Sequence, residues 1–195
     1  MHKPTLLMIH GLVGSLDYFE AGARIKYADV RTLDLLGYGD LRDASSAKLT
    51  LRAQTEHVAS HIASLPDPPV WLLGHSMGGA IAMLAAERRP VHVRGIINVE
   101  GNFTLKDAFW SRDIVAKSLE EWFKEYRAML HDVPAWVTRC VVEPSEERVT
   151  WAASILEHQP AETVFAMSKA IIEETGDPAY LDAVRRVVEL GVCRT

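Results

Sequence analysis

Short, uninterrupted apolar runs alternate with polar segments over the first hundred residues of the chain. Four of these runs predict β-strands, at Thr5–Ile9, Ala28–Asp34, Pro69–Leu73 and Val93–Val99, because they are brief and end at glycine, proline or polar residues. Each predicted strand is nearly all apolar, which indicates burial on both faces. That pattern is typical of a parallel sheet covered by helices, and the fold class is therefore predicted as α/β.

Between and after these runs the apolar positions recur at helical spacing. Residues 49–65 and 80–89 predict helices that end before Pro66 and Pro90. Beyond residue 102 the chain predicts helices almost exclusively, over 104–131, 145–158, 160–175 and from Pro178 to Leu190. Trp136–Val137 and Cys140–Val142 are short runs of ambiguous type. We therefore predict a core over residues 1–102 and an all-helical cap over residues 103–195.

Composition and charge narrow the class of protein further. Hydrophobic residues make up 48% of the chain and charged residues 24%, as in an ordinary soluble protein. The formal net charge of −5 provides no basic surface for a nucleic acid partner. Cys140 and Cys193 form no CxxC pair, and the first apolar run is too short for a signal peptide or a membrane span. We expect a cytoplasmic protein that binds neither nucleic acid nor membrane.

The strongest chemical motif is Gly74-His75-Ser76-Met77-Gly78-Gly79, which lies between a predicted strand and a predicted helix. A serine hydroxyl becomes a useful nucleophile only when it is exposed, oriented and paired with a base. In G-x-S-x-G the serine occupies a sharp strand-to-helix turn, and the flanking glycines leave room for that turn. The following helix also directs its N-terminus at the site, which favours a developing negative charge.

This motif resembles the nucleophile elbow of the α/β-hydrolase superfamily. His10-Gly11 after the first strand resembles the oxyanion loop of that family, and Asp34–Gly39 resembles its D-x-x-G-x-G segment. The resemblance implies that Ser76 is the nucleophile and that the backbone N–H groups of Leu12 and Met77 form the oxyanion hole. Each donor in such a hole is worth about 10²–10³ in rate. No metal or organic cofactor is implied.

Glu100 is the candidate acid of a catalytic triad, because it follows the last predicted strand at the edge where the carboxyl ends of parallel strands meet. The histidine that the family requires near its C-terminus is missing, since 37 residues follow His158 without another histidine. His10, His131 and His158 are the candidates for the base. His57 and His61 are spaced for a metal, but no third ligand accompanies them.

Two explanations of the missing histidine stay open. The chain is a fragment or truncated product of a complete hydrolase, which we favour, or it is a short natural form with a repurposed base. A sheet without further strands would expose an apolar edge and face, and we therefore expect self-association.

The sequence thus predicts a serine hydrolase that cleaves a carboxylic ester or related acyl substrate through an acyl-enzyme on Ser76. Thioesterase and carbon–carbon bond hydrolase are alternatives within the enzyme class. A non-catalytic member with a binding or regulatory role is the alternative outside it. Aromatic residues within 103–126 suit an apolar acyl or aromatic substrate.

Overall fold

A computed structural model describes residues 3–18, 20–66, 68–140 and 143–191. Within these residues a four-stranded parallel sheet forms from β1 (Thr5–Ile9), β2 (Asp29–Leu33), β3 (Val70–His75) and β4 (Val93–Val99). The strand order is β2-β1-β3-β4, and every neighbouring pair is parallel. The predicted α/β class with about four strands is confirmed.

The parallel order explains where chemistry gathers in this molecule. The central strands β1 and β3 are the most deeply buried, with Leu7, Ile9 and Leu72 fully inaccessible to solvent. Because all four strands run the same way, their carboxyl ends meet at one edge of the sheet. The loop after β1, the turn after β3 and the turn after β4 therefore converge there.

Nine helices surround the sheet in the described part of the chain. Their bounds are α1 (Ala21–Arg24), α2 (Leu51–Ser64), α3 (Met77–Arg88), α4 (Phe109–Val115), α5 (Leu119–His131), α6 (Val133–Cys140), α7 (Glu146–Glu157), α8 (Ala161–Thr175) and α9 (Pro178–Glu189). The ambiguous run at Trp136–Val137 is helical. Val141, Val142 and Cys193 lie outside the described residues.

The region predicted as helical over 104–131 is divided into α4 and α5. Ser118 causes the break, because its hydroxyl accepts a hydrogen bond from the N–H of Glu121 while the Glu121 carboxylate accepts one from the N–H of Ser118. This reciprocal capping box satisfies amide groups that a helix start leaves unpaired, and it begins a new helix at that point. The helix that was predicted from Pro178 begins there, with Asp177 as its N-cap.

The helical segment after residue 102 packs on the sheet segment without a gap in the core. Helix α9 contacts α3, and α8 contacts α2. Buried residues of both segments, such as Leu72, Met83 and Tyr180, belong to one continuous hydrophobic cluster. The division at residue 102 stays a prediction.

Complete burial of the sheet on both faces was expected from its apolar strands, and the structure differs on one face. Leu72 and Ile96 are buried on the side that α3 covers. On the other side the strand register pairs Leu73 with Ile97, and Ile97 is 42% exposed, while the neighbouring Val99 is 40% exposed. An apolar face next to the edge strand β4 is therefore in contact with solvent.

We predict that this exposed face and the β4 edge cause self-association of the chain. The mass measured by sedimentation should rise with protein concentration. Ile97→Lys should lower this mass toward that of the monomer, because the lysine would lose its water in the contact between two chains. Val188→Lys is the matched control, since Val188 is 54% exposed on α9, away from the sheet. A wild-type chain that stays monomeric at all concentrations would contradict this prediction.

Candidate active site

Ser76 forms a strained turn between β3 and α3. Its φ of 53° and ψ of −121° lie in a region that non-glycine residues rarely adopt. Its N–H donates to the Val99 carbonyl at 2.9 Å, and its own carbonyl accepts from the N–H of Gly79 at 2.9 Å and of Asn102 at 3.2 Å. Hydrogen bonds from β4, α3 and the turn after β4 thus hold the conformation that the nucleophile elbow requires.

The glycines of the motif allow this turn to approach its neighbours. A Cβ added at Gly74 would lie 2.4 Å from the Gly78 carbonyl oxygen, and one added at Gly79 would lie 2.8 Å from Asn98 Oδ1. A Cβ at Gly11 would lie 3.1 Å from the Cβ of Ser76. The loop after β1 therefore rests directly on the elbow, and the motif has the packing that its spacing predicts.

An open cavity of about 670 Å³ lies beside Ser76. Its lining includes Leu12, Glu100 and the Ser76 side chain, so the structure brings three of the four predicted site residues together. The aromatic residues that reach this cavity are Phe109 and Trp110 of α4. Lys106 and Asp107 add opposite charges at the same wall.

Met77, the fourth predicted residue, begins α3 directly after Ser76 and is buried. Its N–H belongs to the first turn of a helix, where amide groups have no partner within the helix and attract negative charge. The Leu12 carbonyl accepts a hydrogen bond from the Tyr38 hydroxyl at 2.9 Å, which ties the loop after β1 to the loop after β2.

Asn102 is the closest polar partner of the nucleophile, and sequence reasoning missed it. The Ser76 hydroxyl donates to Asn102 Oδ1 at 3.2 Å, and the Asn102 carbonyl accepts from the Tyr180 hydroxyl at 2.8 Å. Asn102 lies only two residues beyond Glu100, where the turn after β4 reaches the elbow. The position of Asn102 shortly after the end of a predicted strand was the one signal in the sequence for a functional role.

Glu100 lines the cavity with an exposed side chain and a φ of 51°. In the described part of the chain its carboxylate makes no hydrogen bond or ion pair, with a histidine or with any other residue. The structure thus places Glu100 in the lining with Ser76, and no hydrogen bond joins its carboxylate to a described histidine, as a triad would require.

The three histidines proposed as the base lie outside the cavity lining. His10 donates from Nδ1 to the Gly11 carbonyl at 2.8 Å, and its Nε2 accepts from the N–H of Leu35 at 3.2 Å. His158 Nε2 pairs with Asp34 Oδ1 at 2.9 Å, and His131 is exposed at the end of α5. Among the described residues, the one histidine in the lining is His75.

His10, Asp34 and His158 place three potential metal-ligand atoms within 4.8 Å of one another. Both ring nitrogens of His10 are already used, one as a donor and one as an acceptor, so that ring has no lone pair left for a metal. His57 donates from Nε2 to the Asp34 carbonyl at 3.0 Å, which gives that residue a hydrogen-bonding role. These contacts tie the loop after β2 to its neighbours.

We expect His10 to make the protein less stable in acid. Burial lowers the pKa of His10 from 6.5 to about 4, and His158 lowers it by a smaller amount. The hydrogen bond to Gly11 and the charges of Asp34 and Asp17 act in the opposite direction and raise the pKa. The unfolded chain therefore binds a proton to this ring at a higher pH than the folded chain. The contribution of His10 to the free energy of unfolding is therefore complete above pH 6.5. About 3 kcal/mol of it is lost as the pH falls toward 4.

Urea denaturation at a series of pH values measures this effect. His10→Gln removes the titrating ring and should flatten the fall in unfolding free energy between pH 6.5 and 4, whereas the exposed His131→Gln should leave it unchanged. Equal slopes for His10→Gln and wild type would contradict the expectation.

With this geometry in place, comparison with known proteins identifies the family. The sequence profile of the family described as alpha/beta hydrolase fold matches residues 4–141, well over half of the chain. The chain belongs to the alpha/beta hydrolase fold family. The resemblance drawn from the three sequence motifs is confirmed.

Curated relatives of this hydrolase-fold chain match over limited lengths. The monoglyceride lipase of Rattus norvegicus is 37% identical over 86 residues, which cover 41% of this chain and 28% of the relative. The 2-succinyl-6-hydroxy-2,4-cyclohexadiene-1-carboxylate synthase of Enterobacter sp. (strain 638) is 31% identical over 125 residues, covering 64% of this chain and 47% of the relative. The chain thus spans less than half the length of these relatives.

Solved structures agree on the fold. A carboxylesterase of the thaumarchaeon Nitrososphaera gargenis superposes with a TM-score of 0.69 at 15% identity, covering 95% of this chain and 69% of the other. An esterase of Exiguobacterium antarcticum gives a TM-score of 0.68 at 20% identity, with coverage of 88% and 66%. In the described part of the chain, no helix combines the length and apolarity needed to cross a membrane.

Proposed function

We propose that this protein is a serine hydrolase that acts on a carboxylic ester or related acyl substrate through an acyl-enzyme on Ser76. The observation that carries the proposal is the strained Ser76 turn between β3 and α3, because that conformation presents a serine at the top of a parallel sheet. Relatives named as lipases and esterases support the ester class.

In the proposed reaction Ser76 Oγ attacks the carbonyl carbon and passes its proton to a histidine, which the proposal requires as the base. The N–H groups of Met77 and Leu12 stabilise the negative oxygen of the tetrahedral intermediate. The bond to the leaving alcohol then breaks, the alcohol takes the proton back from the base, and the acyl group stays on Oγ. Water attacks the acyl carbon while the base takes one of its protons, the acid leaves, and the base returns that proton to Oγ.

Glu100 is the acid of this proposal, and it would orient the histidine that acts as the base. The aromatic rings of Phe109 and Trp110, together with Leu12 and Val13, form a largely apolar wall beside Ser76. Such a wall suits a small apolar acyl or aromatic group. Thioesters and carbon–carbon bonds next to a carbonyl are alternative substrates of the same nucleophile.

A second candidate function is a non-catalytic binding protein with the hydrolase fold. It is favoured by the position of His10, His131 and His158 outside the cavity, and by the hydrogen bond that Ser76 Oγ donates to an amide oxygen. An amide oxygen is too weak a base to take the serine proton, so Asn102 alone does not activate Ser76.

Labelling with a fluorophosphonate probe separates the two functions. The expected result for the enzyme is a covalent adduct in the tryptic peptide 53–88, localised to Ser76 by fragmentation, together with hydrolysis of a short-chain p-nitrophenyl ester. The heat-denatured chain is the control for non-specific reaction. A folded chain that neither reacts with the probe nor hydrolyses the ester would contradict the enzyme and favour the binding protein.

A further inference from the structure

We propose that Asn102 is a positioning residue for the Ser76 hydroxyl and that Tyr180 of α9 holds Asn102 in place. The consequence for reactivity rests on the proposed function, since it concerns the same nucleophile. The inference adds a connection from the elbow to the last described helix of the chain.

Asn102 contacts Ser76 twice. Its Oδ1 accepts from Ser76 Oγ at 3.2 Å, and its N–H donates to the Ser76 carbonyl at 3.2 Å. Asn102 is only 5% exposed, so solvent competes little for these groups. The side-chain contact restricts rotation of the hydroxyl, and the main-chain contact helps to hold the positive φ of Ser76.

The turn that carries Asn102 is shaped by close packing. Glu100 has a φ of 51°, and a Cβ added at Gly101 would lie 2.0 Å from Asn98 Oδ1. Asn98 therefore presses against the main chain of this turn, and only glycine fits at position 101. The chain reverses within three residues of β4 and brings Asn102 back to the elbow.

Tyr180 fixes the far side of Asn102. Its hydroxyl donates to the Asn102 carbonyl at 2.8 Å, and the side chain is 2% exposed. Burial raises the pKa of Tyr180 strongly, and the charges of Asp107 and Glu174 raise it further, so the phenol stays a donor. Helix α9 also packs against α3, where Arg186 pairs with Glu87 near the end of that helix, and this contact holds α9 against the sheet segment.

The contact itself is tested without any activity. Unfolding free energies are measured for Ser76→Ala, Asn102→Ala and the double variant. Because one hydrogen bond joins the two side chains, the double variant should lose less than the sum of the single losses. Additive losses would overturn the inference, whatever the probe shows.

The effect on reactivity is tested by the rate of fluorophosphonate labelling. Asn102→Ala and Tyr180→Phe should each slow labelling by roughly three- to tenfold, as expected for the loss of one hydrogen bond that orients a reacting group. Thr55→Val is the matched control, since the Thr55 hydroxyl is also buried and donates to a carbonyl, that of Leu51 at 2.8 Å within α2, and Thr55 does not line the cavity. It should label at the wild-type rate despite a similar loss of stability.

Asn102→Asp tests the positioning role through the pH dependence of the labelling rate, which a merely structural role of Asn102 would not change. It places a carboxylate against Ser76 Oγ, and the labelling rate should gain a new dependence on pH that follows the ionisation of this group. Wild-type labelling with unchanged rates in Asn102→Ala and Tyr180→Phe would overturn the inference and leave the proposed function standing. Absence of wild-type labelling would overturn the proposed function, while the unfolding cycle still decides the inference.

Discussion

Ser76→Ala is expected to abolish fluorophosphonate labelling and to lower ester hydrolysis by about 10³-fold or more. Alanine lacks the oxygen that forms the acyl-enzyme, and only binding and the oxyanion donors would still contribute to rate. The backbone should keep its conformation, because alanine at φ 53° is no more strained than serine and the hydrogen bonds of the Ser76 main chain are retained.

Ser60→Ala is the matched control for this experiment. Ser60 is an exposed serine of α2 and lies in the same tryptic peptide, so it tests whether the probe marks any accessible hydroxyl there. Labelling should persist in Ser60→Ala. Labelling that persists in Ser76→Ala would refute the assignment of the nucleophile.

Gly78→Ala is expected to destabilise the protein by more than about 3 kcal/mol. A Cβ at Gly78 would lie 2.3 Å from the carbonyl oxygen of Ile9 and 2.5 Å from that of His10. Both atoms belong to the main chain at the end of the central strand β1, which is hydrogen-bonded to β2 and β3 on its two sides. The clash can therefore be relieved only by moving the elbow or the sheet.

Gly22→Ala is the matched control for this glycine. In α1 the added Cβ would meet Val30 at 3.9 Å, which is an ordinary contact. Since alanine is the better helix former, this variant should be equal to the wild type or more stable by up to about 1 kcal/mol. Urea denaturation followed by circular dichroism measures both variants, and similar midpoints for the two would contradict the packing argument.

Fluorophosphonate labelling of Ser76 distinguishes the serine hydrolase from the non-catalytic binding protein. The site combines a strained nucleophile turn with a serine hydroxyl that is already bonded to an amide oxygen. If the probe reacts, that bond orients the hydroxyl for attack, as the effect of Asn102→Ala on the labelling rate would show. If the probe does not react, the same bond favours a site in which the serine is a polar contact for a ligand.

Most of the sheet could be predicted from the sequence alone. The observed strands begin and end within two residues of the predicted ones, because short apolar runs between glycine, proline and polar residues are a local signal. The elbow was readable for the same reason, since strand, serine turn and helix are consecutive in the chain. Glu100 could be placed at the cavity edge because parallel strands share one carboxyl end.

Contacts between distant segments decided the rest of the site. Tyr180 reaches Asn102 across 78 positions of sequence, and no local pattern indicates that a tyrosine in the first turn of an amphipathic helix bonds the turn beside a nucleophile. The His158 ring bonds the Asp34 carboxylate, and the His10 ring bonds main-chain groups, so neither ring lies in the cavity lining. Residue type alone gave no reason to prefer one of the three candidate bases, His10, His131 and His158.

The sequence by itself determined the parallel strands, the elbow with its glycines and the family to which the chain belongs, because each of these depends on residues that are neighbours in the chain. The tertiary structure alone decided which partner the Ser76 hydroxyl has and which sheet face stays open to solvent. Hydrogen bonds and burial at those places depend on how helices that lie far apart in sequence pack against one another.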